Sequence, residues 1–202
     1  HVHIQNVSTA RGMDTIRRYK SEEVNVTCEI APHHLIFTEE DVGDYDTNFK
    51  MNPPLRTKED TERLLEGFVE GVFDVIASDH APHSEFEKNQ DFSTAPFGIT
   101  GLETALPALF TYFIKTGKFG WDLLVRHYCD RPRELMNVEK AEIAEGAVAN
   151  LVLFNPRKAT TFTVDYIRSR SCNTPFLNRE LDGAIELVLL KDETLLDRTA
   201  AP

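Results

Sequence analysis

The apolar run Val72-Phe73-Asp74-Val75-Ile76-Ala77 leads directly into Ser78-Asp79-His80-Ala81-Pro82-His83. A short apolar run of this kind reads as a buried strand. A strand that ends in an aspartate and opens into a His-rich loop is how a parallel α/β barrel presents catalytic groups at its C-terminal face. An Asp-His pair alone also fits a capped turn with a surface histidine, so the neighbouring segments matter. Ala31-Pro32-His33-His34-Leu35 follows a second apolar strand, Val24 to Ile30, and Lys50-Met51-Asn52-Pro53-Pro54-Leu55-Arg56 forms a stiff, proline-fixed loop between the two strands. Three polar loops after or between buried strands point to a site.

Outward from these loops, strand and helix alternate. Val2 to Val7 reads as a strand, Arg11 to Ser21 as a helix, and Thr57-Lys58-Glu59-Asp60 as a capping box. It opens a helix with Leu64, Leu65, Phe68, Val69 and Val72 at helical spacing, which Gly71 helps to stop. After Gly98, Leu102, Leu106, Leu109, Phe110 and Phe113 are expected on one side of a further helix. The βαβαβα order predicts a parallel sheet. From about Glu142 the pattern becomes short strands, Leu151 to Phe154, Ile185 to Leu190 and Thr194 to Leu196, with a turn at Lys191-Asp192-Glu193. Residues 1–140 therefore read as one α/β part and 141–202 as a small β-rich part. Phe110 and Trp121 are expected in the core, and Met51 beneath the Asn52 loop.

With 202 residues, 41% hydrophobic and 27% charged, the chain has the composition of an ordinary globular protein. Its net charge of -11 argues against nucleic acid or an anionic membrane as the main partner and leaves a small molecule. Cys28, Cys129 and Cys172 are odd in number and contain no CxxC pair, which fits a reducing cytoplasm better than a disulfide framework. No apolar run approaches the roughly 18 residues of a membrane span.

Six segments in order carry a family resemblance: Asn6-Val7-Ser8-Thr9, Ala31 to Leu35, Lys50 to Arg56, Ser78 to His83, Ala95-Pro96-Phe97-Gly98 and Asn173-Thr174-Pro175-Phe176. Together they resemble the C-terminal half of the dihydroorotases of the amidohydrolase superfamily, which interconvert carbamoyl-aspartate and dihydroorotate in pyrimidine synthesis. The resemblance implies an α/β fold, the C-terminal part of a (β/α)8 TIM-type barrel, followed by part of a small β-sandwich. It implies that Asp79 binds a metal and shuttles a proton, that Asn52, His83 and the backbone at Phe97 and Gly98 hold substrate, and that one or two zinc ions serve as cofactor. His33 and His34 are expected to be structural. Such chemistry suits a cyclic amide: a metal-bound water supplies the nucleophile and a positioned carboxylate protonates the leaving nitrogen.

Two departures accompany the resemblance. The family's strand-one His-x-His and further ligands have no counterpart here; His1-Val2-His3 imitates the motif but is joined to the sixth-strand sequence. Since a full barrel takes about 250 residues, the chain is expected to be a fragment. Asn6 also stands where the family has a histidine ligand, and an amide oxygen is a poor zinc ligand. On strand alternation, His3 would face away from Asn6. Gly146 to Val152 resembles the start of the family's small β-domain, with Asn150 in place of its aspartate. A non-catalytic dihydroorotase-like partner of aspartate transcarbamoylase, a homodimer, and another cyclic amidase such as an allantoinase remain open readings.

Overall fold

The computed structural model describes residues 1–191 and 193–199. Three short strands, β1 (Val2–Ile4), β2 (Val26–Ile30) and β3 (Val75–Ile76), form a parallel sheet in the order β1-β2-β3. Ile4 lies opposite Cys28 and Ile30 opposite Ile76. Parallel neighbours require crossover connections; helix α1 (Ala10–Ser21) links β1 to β2, and the β2–β3 connection contains α2 (Pro32–Ile36) and α3 (Lys58–Val69). All three strands therefore end on the same edge.

Local chemistry sets the helix boundaries. The Thr9 hydroxyl accepts from Gly12 N–H to start α1, and Thr57 accepts from Asp60 N–H to start α3, whose first turn carries Glu59 and Asp60. Gly71, at φ +81°, takes the left-handed turn that follows α3. Met13 and Ile16 of α1 and Leu64 and Phe68 of α3 then bury against Cys28, Ile30, Phe73 and Ile76. At roughly 25 cal/mol per Å² of apolar surface removed from water, such a layer supplies the main driving force of the α/β part.

Several elements differ from the sequence expectation. The first strand stops at Ile4 because Asn6 adopts φ +50°, so alternation along a strand does not relate residues 3 and 6. His3 instead hydrogen-bonds Thr27 and Glu29 on the neighbouring strand. The second strand begins at Val26 rather than Val24. Leu102 lies before the helix and is 60% exposed; the helix proper is α5 (Ala105–Leu109), following the short α4 (Glu85–Lys88), and it widens into a π turn over Phe110–Ile114. Val69 faces solvent by half. Phe110 is buried as expected, but Trp121 is 39% exposed, stacked on Phe110 and edge-on to Phe154. Its ring caps the seam between the helices and the C-terminal sheet.

That sheet is antiparallel, in the order β4 (Asn150–Thr161), β5 (Glu180–Leu190) and β6 (Glu193–Asp197). The expected strands are present within longer ones. The turn read at Lys191-Asp192-Glu193 includes Asp192, which lies outside the described residues. Between β4 and β5 the chain returns to the α/β part, where Phe162 and Phe176, with Leu181 at the start of β5, join Phe37, Phe49, Met51, Leu55 and Ile99 in a second core. Met51 lies in this core, next to Asn52, as expected. Among the described residues, no helix is long and apolar enough to cross a membrane.

Candidate active site

Residues just past the ends of the parallel strands gather the candidate groups. Asn6 follows β1, His33 and His34 follow β2, and Asp79 follows β3. Asn6 (φ +50°) and Asp79 (φ +48°) both occupy the left-handed region. Asn and Asp tolerate it better than other non-glycine residues, and such conformations concentrate at functional sites.

Asp79 keeps its side chain 29% accessible, with Oδ2 4.0 Å from His33 Nε2. That contact is no ion pair, because burial and the neighbouring His34 hold the His33 imidazole well below its ordinary range, so it is neutral. His34 is also depressed, first by burial, while its Nε2–H donates to the Pro53 carbonyl at 3.0 Å. His34 thereby ties α2 to the loop that carries Asn52. Asn52 itself is exposed at the tip.

A second layer fixes the loops after β3. His83 Nε2–H donates to the Phe97 carbonyl at 2.9 Å, and His80 Nδ1 accepts from Gly101 and Leu102 N–H. In the neutral ring, that use of Nε2–H leaves His83 Nδ1 an acceptor, so a second donor from this residue requires the imidazolium. Asn173, buried, accepts from His83 N–H and donates to the carbonyls of Ala81 and Gly98, while the Ser171 hydroxyl donates to His83 O. Gly98 N–H donates to Lys50 O at 2.8 Å. Gly98 adopts φ +110°, and a Cβ there would lie 2.5 Å from Ala81 Cβ. The contribution of Gly98 is thus conformational: its N–H and carbonyl are both taken by the protein.

The structure joins His83 to Phe97 by a direct hydrogen bond and to Gly98 through Asn173, places Asp79 at the start of the same loop, and leaves Asn52 on a separate loop anchored by His34. Sequence reasoning gives no individual role to Asn173, Lys50 or Lys88. Asn173 is visible within the Asn173-Thr174-Pro175-Phe176 segment. Lys88, inside the charged run Glu85-Phe86-Glu87-Lys88, reads as solvated and gives no signal. It is in fact buried, and its ammonium is pushed down to about 8 by burial and by the charge of Lys50, partly offset by Asp46.

Asn6 Oδ1 and His33 Nε2 are buried without a hydrogen-bond partner among the described residues. Of these, His33 Nε2 lies 4.0 Å from the Asp79 carboxylate, and Asn6 follows the neighbouring strand β1. An amide oxygen is a weak zinc donor, however, and among the described residues no group of three or more His, Cys, Asp or Glu is placed to hold a metal. The residues of this chain do not by themselves fit a closed zinc site.

The buried histidines have a consequence for stability. Burial depresses His33, His34 and His127 below the ordinary value of about 6.5. Below that pH the unfolded chain binds more protons than the folded one. Stability is therefore fully present above pH about 6.5 and is lost as the pH falls toward the folded-state values. The melting temperature is expected to fall between pH 7 and about pH 5; a flat profile over that window would show that these rings are not buried neutral.

The arrangement places polar loops at the C-terminal edge of parallel strands beside a small antiparallel sheet. The chain superposes on the L-hydantoinase (dihydropyrimidinase) from Arthrobacter aurescens with a TM-score of 0.90 and 28% identity, covering 97% of this chain and 45% of that one. The D-hydantoinase (dihydropyrimidinase) from Thermus sp. matches with a TM-score of 0.87 at 22% identity, covering 97% and 44%, a likeness of fold alone. The fold is accordingly α/β and matches that of part of these TIM-barrel hydantoinases.

In sequence the relatives are dihydroorotases. Identity is 39% over 197 residues with the dihydroorotase of Staphylococcus epidermidis, covering 98% of this chain and 46% of the relative. It is 42% over 183 residues with that of Bacillus pumilus (91% and 43%) and 40% over 176 residues with that of Bacillus subtilis (87% and 41%). No family model matches the chain. The chain spans less than half the length of these relatives.

Proposed function

We propose that the chain is the C-terminal half of a dihydroorotase, a hydrolase that interconverts N-carbamoyl-L-aspartate and L-dihydroorotate in the cytoplasm. The observation that carries this reading is the assembly of Asp79, His83, Phe97 and Gly98 on one hydrogen-bonded loop system past the end of β3, in a chain 39% identical to a dihydroorotase. The division proposed is residues 1–140 as barrel and 141–202 as strands of a small β-sandwich. The full-length enzyme is then this chain together with an N-terminal half.

In the proposed reaction Asp79 carries the proton delivered to the ring nitrogen as the amide opens, and removes it on closure. Its accessible carboxylate lies beside the neutral His33, which imposes no positive charge on it. Asn52 donates its amide N–H to a substrate carboxylate or carbonyl, and His83, once protonated, donates from Nδ1. Phe97 N–H, which has no partner among the described residues, adds a backbone donor. Zinc, one or two ions, is the cofactor proposed for the full-length enzyme. This chain offers it Asp79 and, where relatives of this family are read to have histidine, Asn6; the remaining ligands belong to the other half.

The test is turnover by the full-length enzyme. Dihydroorotate is expected to be opened and carbamoyl-aspartate cyclised, with hydantoin and allantoin left unreacted. Preference for hydantoin or allantoin would assign another cyclic amidase. Asn6 favours a second reading, a non-catalytic dihydroorotase-like partner of aspartate transcarbamoylase; a folded enzyme inert toward all three substrates but co-purifying with that transferase would establish it.

A further inference from the structure

Two lysines near the proposed substrate loop are buried and, among the described residues, face no carboxylate within ion-pair distance. Lys50 is 6% and Lys88 4% exposed, which is rare for lysine because desolvating an ammonium is costly unless its hydrogen bonds are met. Here they are met by backbone carbonyls of one short segment. Lys50 Nζ donates to Ser93 O (3.2 Å) and Ala95 O (2.5 Å), and Lys88 Nζ donates to Pro96 O and Gly98 O (3.1 Å each). Lys50 also lies 4.5 Å from the centre of the Phe97 ring, and its own carbonyl accepts from Gly98 N–H. Thr47 holds the far end by donating from its hydroxyl to Lys88 O at 2.6 Å.

The inventory of this loop is one-sided. The carbonyls of Ser93, Ala95, Pro96, Phe97 and Gly98 are each engaged, by Lys50, Lys88, His83 or Asn173. Ala95 N–H donates to Asp91 O, Pro96 has no N–H, and Gly98 N–H is taken by Lys50. Among the described residues, Phe97 N–H is the donor without a partner that remains between residues 95 and 98. A peptide whose carbonyls are held by cations also carries a more polarised N–H.

We propose that Lys50 and Lys88 are positioning residues that hold residues 93–98 in the conformation presenting Phe97 N–H to an anionic or carbonyl group of the substrate. This rests on the reading of that loop as a substrate-holding loop. Neither lysine touches substrate; each acts through the carbonyls it binds. The ammonium groups replace the water that would otherwise solvate these carbonyls in an open loop.

The test compares Lys88→Met, which keeps the length of the side chain and removes the donors, with the unaltered protein. In the 202-residue chain, amide hydrogen exchange of residues 93–98 is expected to accelerate at least tenfold, with exchange of α1 and α3 unchanged. In the full-length enzyme, KM for dihydroorotate is expected to rise about tenfold or more with kcat little altered, the pattern of lost ground-state and transition-state binding together. Loop exchange that stays the same would overturn the clamp, whatever the enzyme's substrate proves to be. Faster loop exchange with an unchanged KM would overturn the positioning role while leaving the clamp. Should Lys88→Met fail to fold, Lys50→Met, judged by the same two readouts, decides between these outcomes.

Discussion

Replacing Asp79 with asparagine is expected to lower kcat of the full-length enzyme for dihydroorotate by about 10³ or more while leaving the fold in place. General acid–base groups contribute about 10²–10⁴ to rate, and the amide can neither give nor take the proton at working pH. The structural cost is small for three reasons. Asparagine tolerates the left-handed backbone at φ +48° as well as aspartate does. The side chain is partly accessible, and its nearest charged-type neighbour, His33, is neutral at 4.0 Å. Steady-state kinetics beside a thermal melt check this: a variant with near-normal melting and near-normal kcat would remove Asp79 from the reaction.

Gly98→Ala is expected to act through geometry and to cost about 2–5 kcal/mol, the sum of backbone strain and overpacking. At φ +110° no L side chain is comfortable, and the new Cβ would lie 2.5 Å from Ala81 Cβ. Both residues sit in the hydrogen-bonded system of His83 and Asn173, so relief by movement breaks the bonds from Asn173 to Ala81 O and Gly98 O. Gly71→Ala provides the control. It also has a positive φ, +81°, but nothing lies within 4 Å of its Cβ position, so only the backbone part of the cost, about 1–2 kcal/mol, is expected. Denaturant unfolding of both variants separates the two contributions. Equal losses would show that the Ala81 contact is relieved without cost.

Much of this is legible in residues with local signatures. The Thr57 cap, the apolar spacing of Leu64 and Phe68, and the run from Val72 to Ala77 announce a helix and a buried strand because period and capping are local properties. The motif loops mark the site for the same reason: Asp, His, Asn and Pro cluster where strands end. What a local pattern does not show depends on contacts distant in sequence. The bonds of Lys50 to Ser93 and Ala95 span more than forty residues, and Asn173 meets Ala81 across ninety-two. Nothing in Glu85 to Lys88 distinguishes a buried ammonium from a solvated one.

The early end of β1 has the same origin. Val2 to Val7 carries an acceptable strand pattern, and only the left-handed turn at Asn6 shows that the segment leaves the sheet there. That turn leaves Asn6 Oδ1 bare in the interior beside the strand ends. Trp121 and Leu102 depart from expectation because apolar character predicts burial on average, not at a given seam.

The central claim, that this chain carries the substrate-holding loops of a dihydroorotase, is tested most directly by hydrogen exchange on the full-length Asp79→Asn enzyme, which is expected to bind dihydroorotate without consuming it. Saturating dihydroorotate is predicted to slow exchange at residues 79–83 and 95–98 and around Asn52, with the Phe97 amide among the most protected. Absence of protection in these loops, or protection confined to other parts of the chain, would contradict the account.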